Sequence, residues 1–276
     1  MKKGWKKGLA FLGAAAALMV VLAGCSSGKK DNSVKKIQDK KTIVVGTSAD
    51  YAPFEFPIVK NGQKQVVGYD MLIAQKIADN LGVKLKIENT EFPSLISELK
   101  NNKIDMILAG MVSTNQRKKA VAFSKSYYTV KNVLLVQKKD ADKYNTVASV
   151  KGQQIGAQQT TTQEQIAKNQ LKGSNVVTEG VLTSLTTELS QGKLAGVVVE
   201  NEIADNYLRE FPNKYAVAKV KLTTPKDQRS VNVAVRKSDK ALLKRINKVI
   251  TKLQKDGEMT KLFKQAQDLQ AKYGTK

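Results

Sequence analysis

The chain has 276 residues, of which 47 are lysine or arginine against 24 acidic ones, giving a formal charge of +23, and it contains no histidine. A chain of this length with an apolar share of 41% buries a sizeable core, as one large domain or two smaller ones. The lack of histidine removes the commonest general base and metal ligand, and the single cysteine excludes an internal disulfide or a cysteine metal set. No cofactor and no metal are expected. Most of the basic excess is lysine, because only five arginines occur, at 117, 209, 229, 236 and 245.

The amino terminus carries Lys2, Lys3, Lys6 and Lys7, then an apolar run from Leu9 to Leu22, then small residues before Cys25. This is the three-part pattern of an export signal over residues 1–24, and the run is short for a membrane core of about 30 Å. Leu22-Ala23-Gly24-Cys25 resembles a bacterial lipobox, which makes Cys25 the expected lipidated, palmitate-type first residue of a mature lipoprotein. Residues 25–40 are polar, charged and aperiodic, as expected of a flexible tether. Removing residues 1–24 takes away four lysines and leaves +19. An exported, membrane-anchored chain is not expected to meet nucleic acid, so the surplus is better matched to anionic envelope polymers or lipid headgroups.

Lys41 to Thr47 reads as a buried strand running into an aromatic-rich loop, Ser48 to Phe56, where Pro53 stops the strand. Asn61-Gly62 predicts a small hairpin across Val59 to Val67. Asp70 is expected to cap a helix bearing Leu72, Ile73, Ile77 and Leu81, closed by Gly82. A strand follows at Val83 to Ile87, then a helix from Pro93 with Leu95, Ile96 and Leu99 on one face. Ile104 to Leu108 reads as a strand that ends in Gly110, Ser113, Thr114, Asn115 and Arg117. In an open α/β sheet ligands collect beyond the carboxyl ends of strands, and an arginine there offers a planar fork that matches a carboxylate. Read alone, Arg117 is equally one more surface cation.

A strand at 132–136 ends in Lys138-Lys139-Asp140, and the alternating pattern then resumes. Strands are predicted at 154–157, 176–177 and 196–199, with helices at 160–171 and 182–189. Leu99, Lys103, Ile104, Ile107 and Leu108 match Leu189, Lys193, Leu194, Val197 and Val198 at a constant offset of 90, a faint internal repeat. It predicts that Gly110 and Glu200 close equivalent strands in two similar halves. A strand at 231–235 precedes two amphipathic helices separated by Asp256-Gly257. The pattern is α/β with mostly parallel sheets.

Several segments together, VGTSADYAPFEF, VGYDMLIAQKIADNLGV, FPSLISELKNNKIDMILAGMVSTNQRKKAVAFSKSYY, VKGQQIGAQQTTTQEQ, LSQGKLAGVVVEN, VNVAVRKSD and LQKDGEMTKLF, resemble the periplasmic-type polar amino-acid-binding proteins that feed ABC importers. The resemblance runs from Lys41 to Tyr273. It implies a two-lobed periplasmic-binding-protein type II fold, each lobe a mostly parallel sheet flanked by helices. Lobe 1 would be 41–132 plus 236–276 and lobe 2 would be 138–230, with hinge strands at about 132–137 and 231–236. It also implies that Arg117 clamps the α-carboxylate of an amino acid, aided by backbone amides near Gly110 and Val112 and by the loop Thr160, Thr161, Thr162. Glu200 stands where the family usually has an Asp for the α-ammonium, and Tyr51 and Phe92 where rings sandwich the side chain. Val112 replaces a frequent hydroxyl residue. Ser48 stands where several relatives for basic amino acids or glutamine carry an acid, which argues against a basic ligand.

The expectation is therefore a monomeric, extracytoplasmic, lipid-anchored receptor, not an enzyme, that binds a free polar amino acid between its lobes and delivers it to a membrane permease. Charge-assisted hydrogen bonds contribute roughly 1.5–3 kcal/mol each, so one clamp, one carboxylate and a few backbone donors suffice for micromolar capture, about 8 kcal/mol. The alternatives are a basic surface adhesin for host matrix or envelope polymers, and a dehydratase on the same fold with Glu200 as base.

Overall fold

The computed structural model describes residues 31–273. The expected signal peptide, Cys25 and the first part of the tether lie outside the described residues. Two five-stranded sheets organise the fold. The first draws on β1 (Thr42–Thr47), β4 (Lys84–Asn89), β5 (Met106–Ile107), β6 (Ala122–Thr129) and β12 (Ser230–Val235), in the order β4-β1-β5-β12-β6. The second draws on β7 (Asn132–Gln137), β8 (Gln154–Gln158), β9 (Asn175–Glu179), β10 (Gly196–Glu200) and β11 (Tyr215–Val217), in the order β11-β7-β10-β8-β9. The hairpin β2 (Phe56–Lys60) and β3 (Gln63–Val67) stands apart, turned by Asn61 and Gly62 at positive φ as their identities predict.

The two sheets have the same topology. In each, a short central strand lies parallel to one neighbour and antiparallel to the other: β5 between β1 and β12, β10 between β8 and β7. The faint repeat at offset 90 is thus a structural one. Glu200 is the last residue of β10, whereas Gly110 lies three positions beyond β5. The glycines of the first strands repeat the relation. A Cβ on Gly46 would meet Ile104 Cδ1 at 2.3 Å and Leu95 Cδ2 at 3.1 Å, and one on Gly156 would meet Leu194 at 2.8 Å and Leu185 at 3.1 Å. These are corresponding pairs in the two halves, so the same close approach is built twice.

Helices α2 (Tyr69–Leu81), α3 (Leu95–Lys100) and α4 (Asn115–Ala120) serve the first sheet, and α5 (Thr162–Gln170), α6 (Leu182–Ser190) and α7 (Asn201–Glu210) the second. Each amphipathic helix turns its apolar stripe inward: Ile73, Ile77 and Leu81 of α2, and Leu182, Leu185 and Leu189 of α6, are buried. Gly82 ends α2 in the left-handed conformation, as predicted. Helices α8 (Lys240–Lys255) and α9 (Glu258–Tyr273) return to the first lobe, where Leu242, Ile246, Val249, Ile250 and Leu253 of α8 join the core. Among the described residues no helix is long and apolar enough to cross a membrane.

Three expectations change. The tether expected over 25–40 is ordered in its second half: α1 (Ser33–Asp39) forms because Ile37 finds an apolar bed and is 2% exposed. Asp70 is not the cap of α2, whose N-cap is Gly68; the carboxylate turns inward instead. The strands expected to carry the crossings, β7 and β12, are each paired within one sheet, and the backbone passes between the sheets just before them, at 130–131 and 218–229.

Candidate functional site

The loop that leaves β1 is held by its own aromatics. Phe54 packs edge-on against Tyr69 and Tyr128 at 6.0 and 5.3 Å, and Tyr128 stacks on Phe263 at 4.9 Å. This fixes residues 48–55 at the carboxyl end of β1. The corresponding end of the second sheet presents Gln158, the start of α5, and Glu200. Between the two edges, Ser48, Asp50, Tyr51, Glu55, Phe92 and Arg117, with other residues of both lobes, line a narrow, nearly closed cavity of about 20 Å³.

Arg117 rises from the first turn of α4, whose N-cap Thr114 accepts from the Arg117 amide at 3.1 Å. Its guanidinium donates from Nη1 to the Val112 carbonyl at 2.8 Å and from Nη2 to the Thr160 carbonyl of the opposite lobe at 3.0 Å. The guanidinium carbon sits 5.0 Å above the Phe92 ring. Burial lowers its pKa to about 10, partly opposed by the charge of Glu200, so it remains a cation at neutral pH.

Glu200 ends β10 and is 2% exposed. Its Oε1 accepts from Gln163 Nε2 at 3.1 Å, while Oε2 has no partner in the protein. Burial above all, and then the charge of Glu202, raise its pKa to about 8. Glu55 is fully buried, and neither of its carboxylate oxygens has a hydrogen-bond donor. Burial first and the neighbouring Asp70 second push its pKa far above the usual carboxylate range. Asp70, raised to about 6 by burial, accepts at Oδ2 from the Gly110 amide and the Tyr127 hydroxyl, both at 2.8 Å. Two facing buried carboxyls share a proton more readily than they carry two charges. Asp50, raised by burial, bridges the lobes: Oδ2 accepts from the Leu182 amide at 2.6 Å and from Gln158 Nε2 at 3.1 Å.

Of the residues expected from sequence, Ser48, Tyr51, Phe92, Gly110, Val112, Arg117, Thr161, Thr162 and Glu200 line this one cavity. Thr160 does not. Its side chain is exposed, it holds φ +62° against the usual preference of a β-branched residue, and only its carbonyl reaches the site, by way of Arg117. The Gly110 amide is not free for a ligand carboxylate, because Asp70 already occupies it. Gly110 itself is required, at φ +56° with the Tyr51 ring 3.3 Å from where a Cβ would stand. Thr161 caps α5, accepting from the Glu164 amide at 3.2 Å, so the positive amino end of that helix borders the cavity beside Arg117. Sequence reading passed over Asp50, Glu55, Gln158 and Gln163. The first two sit within seven residues of Ser48, in the very loop already marked as ligand-facing.

Residues 43–267 match the family model of the bacterial extracellular solute-binding proteins, family 3. The chain is 31% identical over 252 residues to the arginine-binding extracellular protein ArtP of Bacillus subtilis, covering 91% of this chain and 94% of the relative. Among solved structures it resembles an amino-acid ABC transporter substrate-binding protein of Streptococcus pneumoniae bound to L-arginine, with a TM-score of 0.81, 37% identity and coverage of 85% of this chain and 97% of the other. It is also similar, at a TM-score of 0.76 and 31% identity, to an ancestral amino-acid-binding protein, AncCDT-1, described as a precursor of cyclohexadienyl dehydratase; 84% of this chain and 98% of that one are covered.

Proposed function

The chain belongs to the bacterial extracellular solute-binding proteins, family 3, and from that premise we propose that it is a receptor for a free basic amino acid, arginine foremost, which it delivers to the permease of an ABC importer. The observation that carries this reading is the charge layout of the cavity: one guanidinium beside a helix amino end, and away from it the buried, underpaired carboxylates of Glu200 and Glu55. Arg117 with the amino end of α5 would take the ligand carboxylate, Glu200 its ammonium, and Glu55 the cation at the end of its side chain. Tyr51 would pack on the aliphatic stem. With a neutral polar ligand Glu55 would keep its proton and gain nothing, whereas a basic side chain would pair with its carboxylate. Ser48 need not supply the acid that reads a basic side chain, because Glu55 stands in the same loop.

The two sheets, with boundaries at about residues 130 and 230, would form the lobes of a clamp that closes over the ligand. Lipidation at Cys25 would hold the receptor outside the cytoplasmic membrane, next to its permease. The chain acts as a receptor and not as a catalyst, since ligand binding by Arg117, Glu200 and Glu55 and lobe bridging by Asp50 account for the buried charges of the cavity.

Thermal melting against a panel of amino acids tests the reading. Arginine should stabilise the chain by about 2.7 kcal/mol at a hundredfold excess over its dissociation constant. Glu55→Gln should weaken basic ligands far more than neutral ones, and Arg117→Ala should weaken all of them. No shift with any amino acid overturns the receptor reading, whereas equal loss of basic and neutral ligands in Glu55→Gln overturns the assignment of the side-chain pocket.

A further inference from the structure

Helix α8 carries Lys240, Lys244, Lys248 and Lys252 at a constant spacing of four, which places all four on one face of the helix, and all four are exposed. Like charges at that spacing oppose helix formation, and α8 contains no acidic residue to offset them. Of these four lysines, only Lys252 is ion-paired among the described residues, to Asp256. Lys125 of β6 and Arg245 join this face, and together with Val34 of α1 they border a shallow groove. Lys125 Nζ is steered along it by a 3.0 Å hydrogen bond to Thr251. The cavity described above is rich in carboxylates, so the two charge fields are separate.

The position of α1 says what such a face is close to. The Leu242 amide at the start of α8 donates to Ser33 Oγ at 3.2 Å, so the chain enters its folded part beside the lysine row. Seven residues, 26–32, separate Ser33 from Cys25. Eight Cα steps reach at most about 27 Å, so a lipid on Cys25 would keep this end of α8 within a tether's length of the leaflet. That distance is a few screening lengths at physiological salt, about 8 Å each. We propose that the lysine face of α8 is a docking surface for anionic lipid headgroups, which lays the tethered receptor against the membrane to which it is anchored. The geometry of the tether rests on the proposed lipidation; the charge row does not.

The test uses the processed, acylated protein on vesicles of phosphatidylcholine alone or with roughly one third phosphatidylglycerol. Lysine acetylation is read residue by residue by mass spectrometry. On the anionic vesicles, labelling of Lys244 and Lys248 should fall about fivefold, the effect of roughly one cation's worth of attraction to such a leaflet. It should recover at about 0.5 M salt, where screening is short-ranged. Lys138 and Lys139, exposed on the other lobe, should stay within about twofold. Lys244→Gln with Lys248→Gln should restore labelling at Lys125 to its level on neutral vesicles. Equal protection of Lys138 and Lys139, or no protection of Lys244 and Lys248, overturns the proposal. So does protection of those lysines by a dissolved anionic polymer on neutral vesicles with none from anionic lipid. Failure of the anchor shows separately, as a chain that does not sediment with neutral vesicles yet still binds anionic ones in low salt.

Discussion

At the scale of single residues, the site is dominated by acids that cannot easily hold their charge. Glu200 has its pKa raised from 4.5 to about 8 by burial. Between those values the folded chain keeps a proton that the unfolded chain has released. The folded state therefore binds more protons, and the stability this group contributes is fully present below about pH 4.5 and lost as pH rises through 8. A ligand ammonium reverses the balance by favouring the carboxylate. Binding should then expel protons, and affinity should climb with pH until about 8. Calorimetry at pH 6.5 in two buffers of different ionisation enthalpy should report a release of about one proton or more per ligand. Glu200→Gln should remove one of these and weaken binding by roughly 10- to 150-fold, the worth of one charge-assisted hydrogen bond. Heat independent of the buffer would contradict the assignment of Glu200 to the ammonium.

At the scale of elements, the duplicated glycine contact makes a paired prediction. Gly46→Ala pushes a methyl against Ile104 and Leu95, and Gly156→Ala pushes one against Leu194 and Leu185. Overpacking of this kind costs about 1–3 kcal/mol. Urea unfolding of each variant should show a loss in that range, while Gly62→Ala, with open space around it but φ +74°, should lose only the cost of a left-handed backbone, about 1–2 kcal/mol. Loss at one of the two strand glycines alone would mean that the repeat is topological and not one of packing.

The elements also mark how far the sequence could be read. Strands and helices with clean periodicity, such as β1, α2, α6 and α8, are legible because burial follows the same period as the side chains. The repeat at offset 90 was visible in five positions, yet its cause, a glycine in each first strand receiving the same two neighbours, involves residues 58 and 49 apart in the Gly46 pairs, a long-range contact no local pattern carries. Helix α7 was missed because it opens directly from Glu200, leaving no turn residue to announce it. Helix α1 was missed for the opposite reason: its composition is that of a tether, and only the bed offered by α8 and the core orders Ile37. In the site, Glu200 was legible as a charge at a strand end and Arg117 as a rare arginine in the loop and helix that follow a short strand. Glu55 and Asp50 were not, because one is turned into the protein and the other across the cleft, directions that depend on the aromatic packing of Phe54.

At the scale of the whole molecule, several contacts tie the lobes together. Arg117 reaches the Thr160 carbonyl at 3.0 Å, Gln270 of α9 donates to Glu210 of α7, and Asp50 receives the Leu182 amide at 2.6 Å and Gln158 at 3.1 Å. Arg117 belongs to the groups that a ligand would engage, and the α9–α7 contact lies outside the cavity lining. Asp50 lines the cavity with Gln158, yet both of its cross-lobe donors already meet it in the ligand-free chain, so it favours closure before ligand arrives. Removing it should shift the ligand-free population toward separated lobes. Since only the closed form offers both halves of the site, apparent affinity falls by the fraction of molecules that remain closed. Asp50→Ala should therefore enlarge the radius of gyration of the ligand-free chain in small-angle scattering and return to the wild-type value at saturating ligand. The dissociation constant should rise by about tenfold, as expected for one buried charge-assisted bond of roughly 1.5 kcal/mol, and the association rate should change less than the dissociation rate. An unchanged radius in the ligand-free variant would show that Arg117 and Gln270 hold the lobes together without the Asp50 bridge.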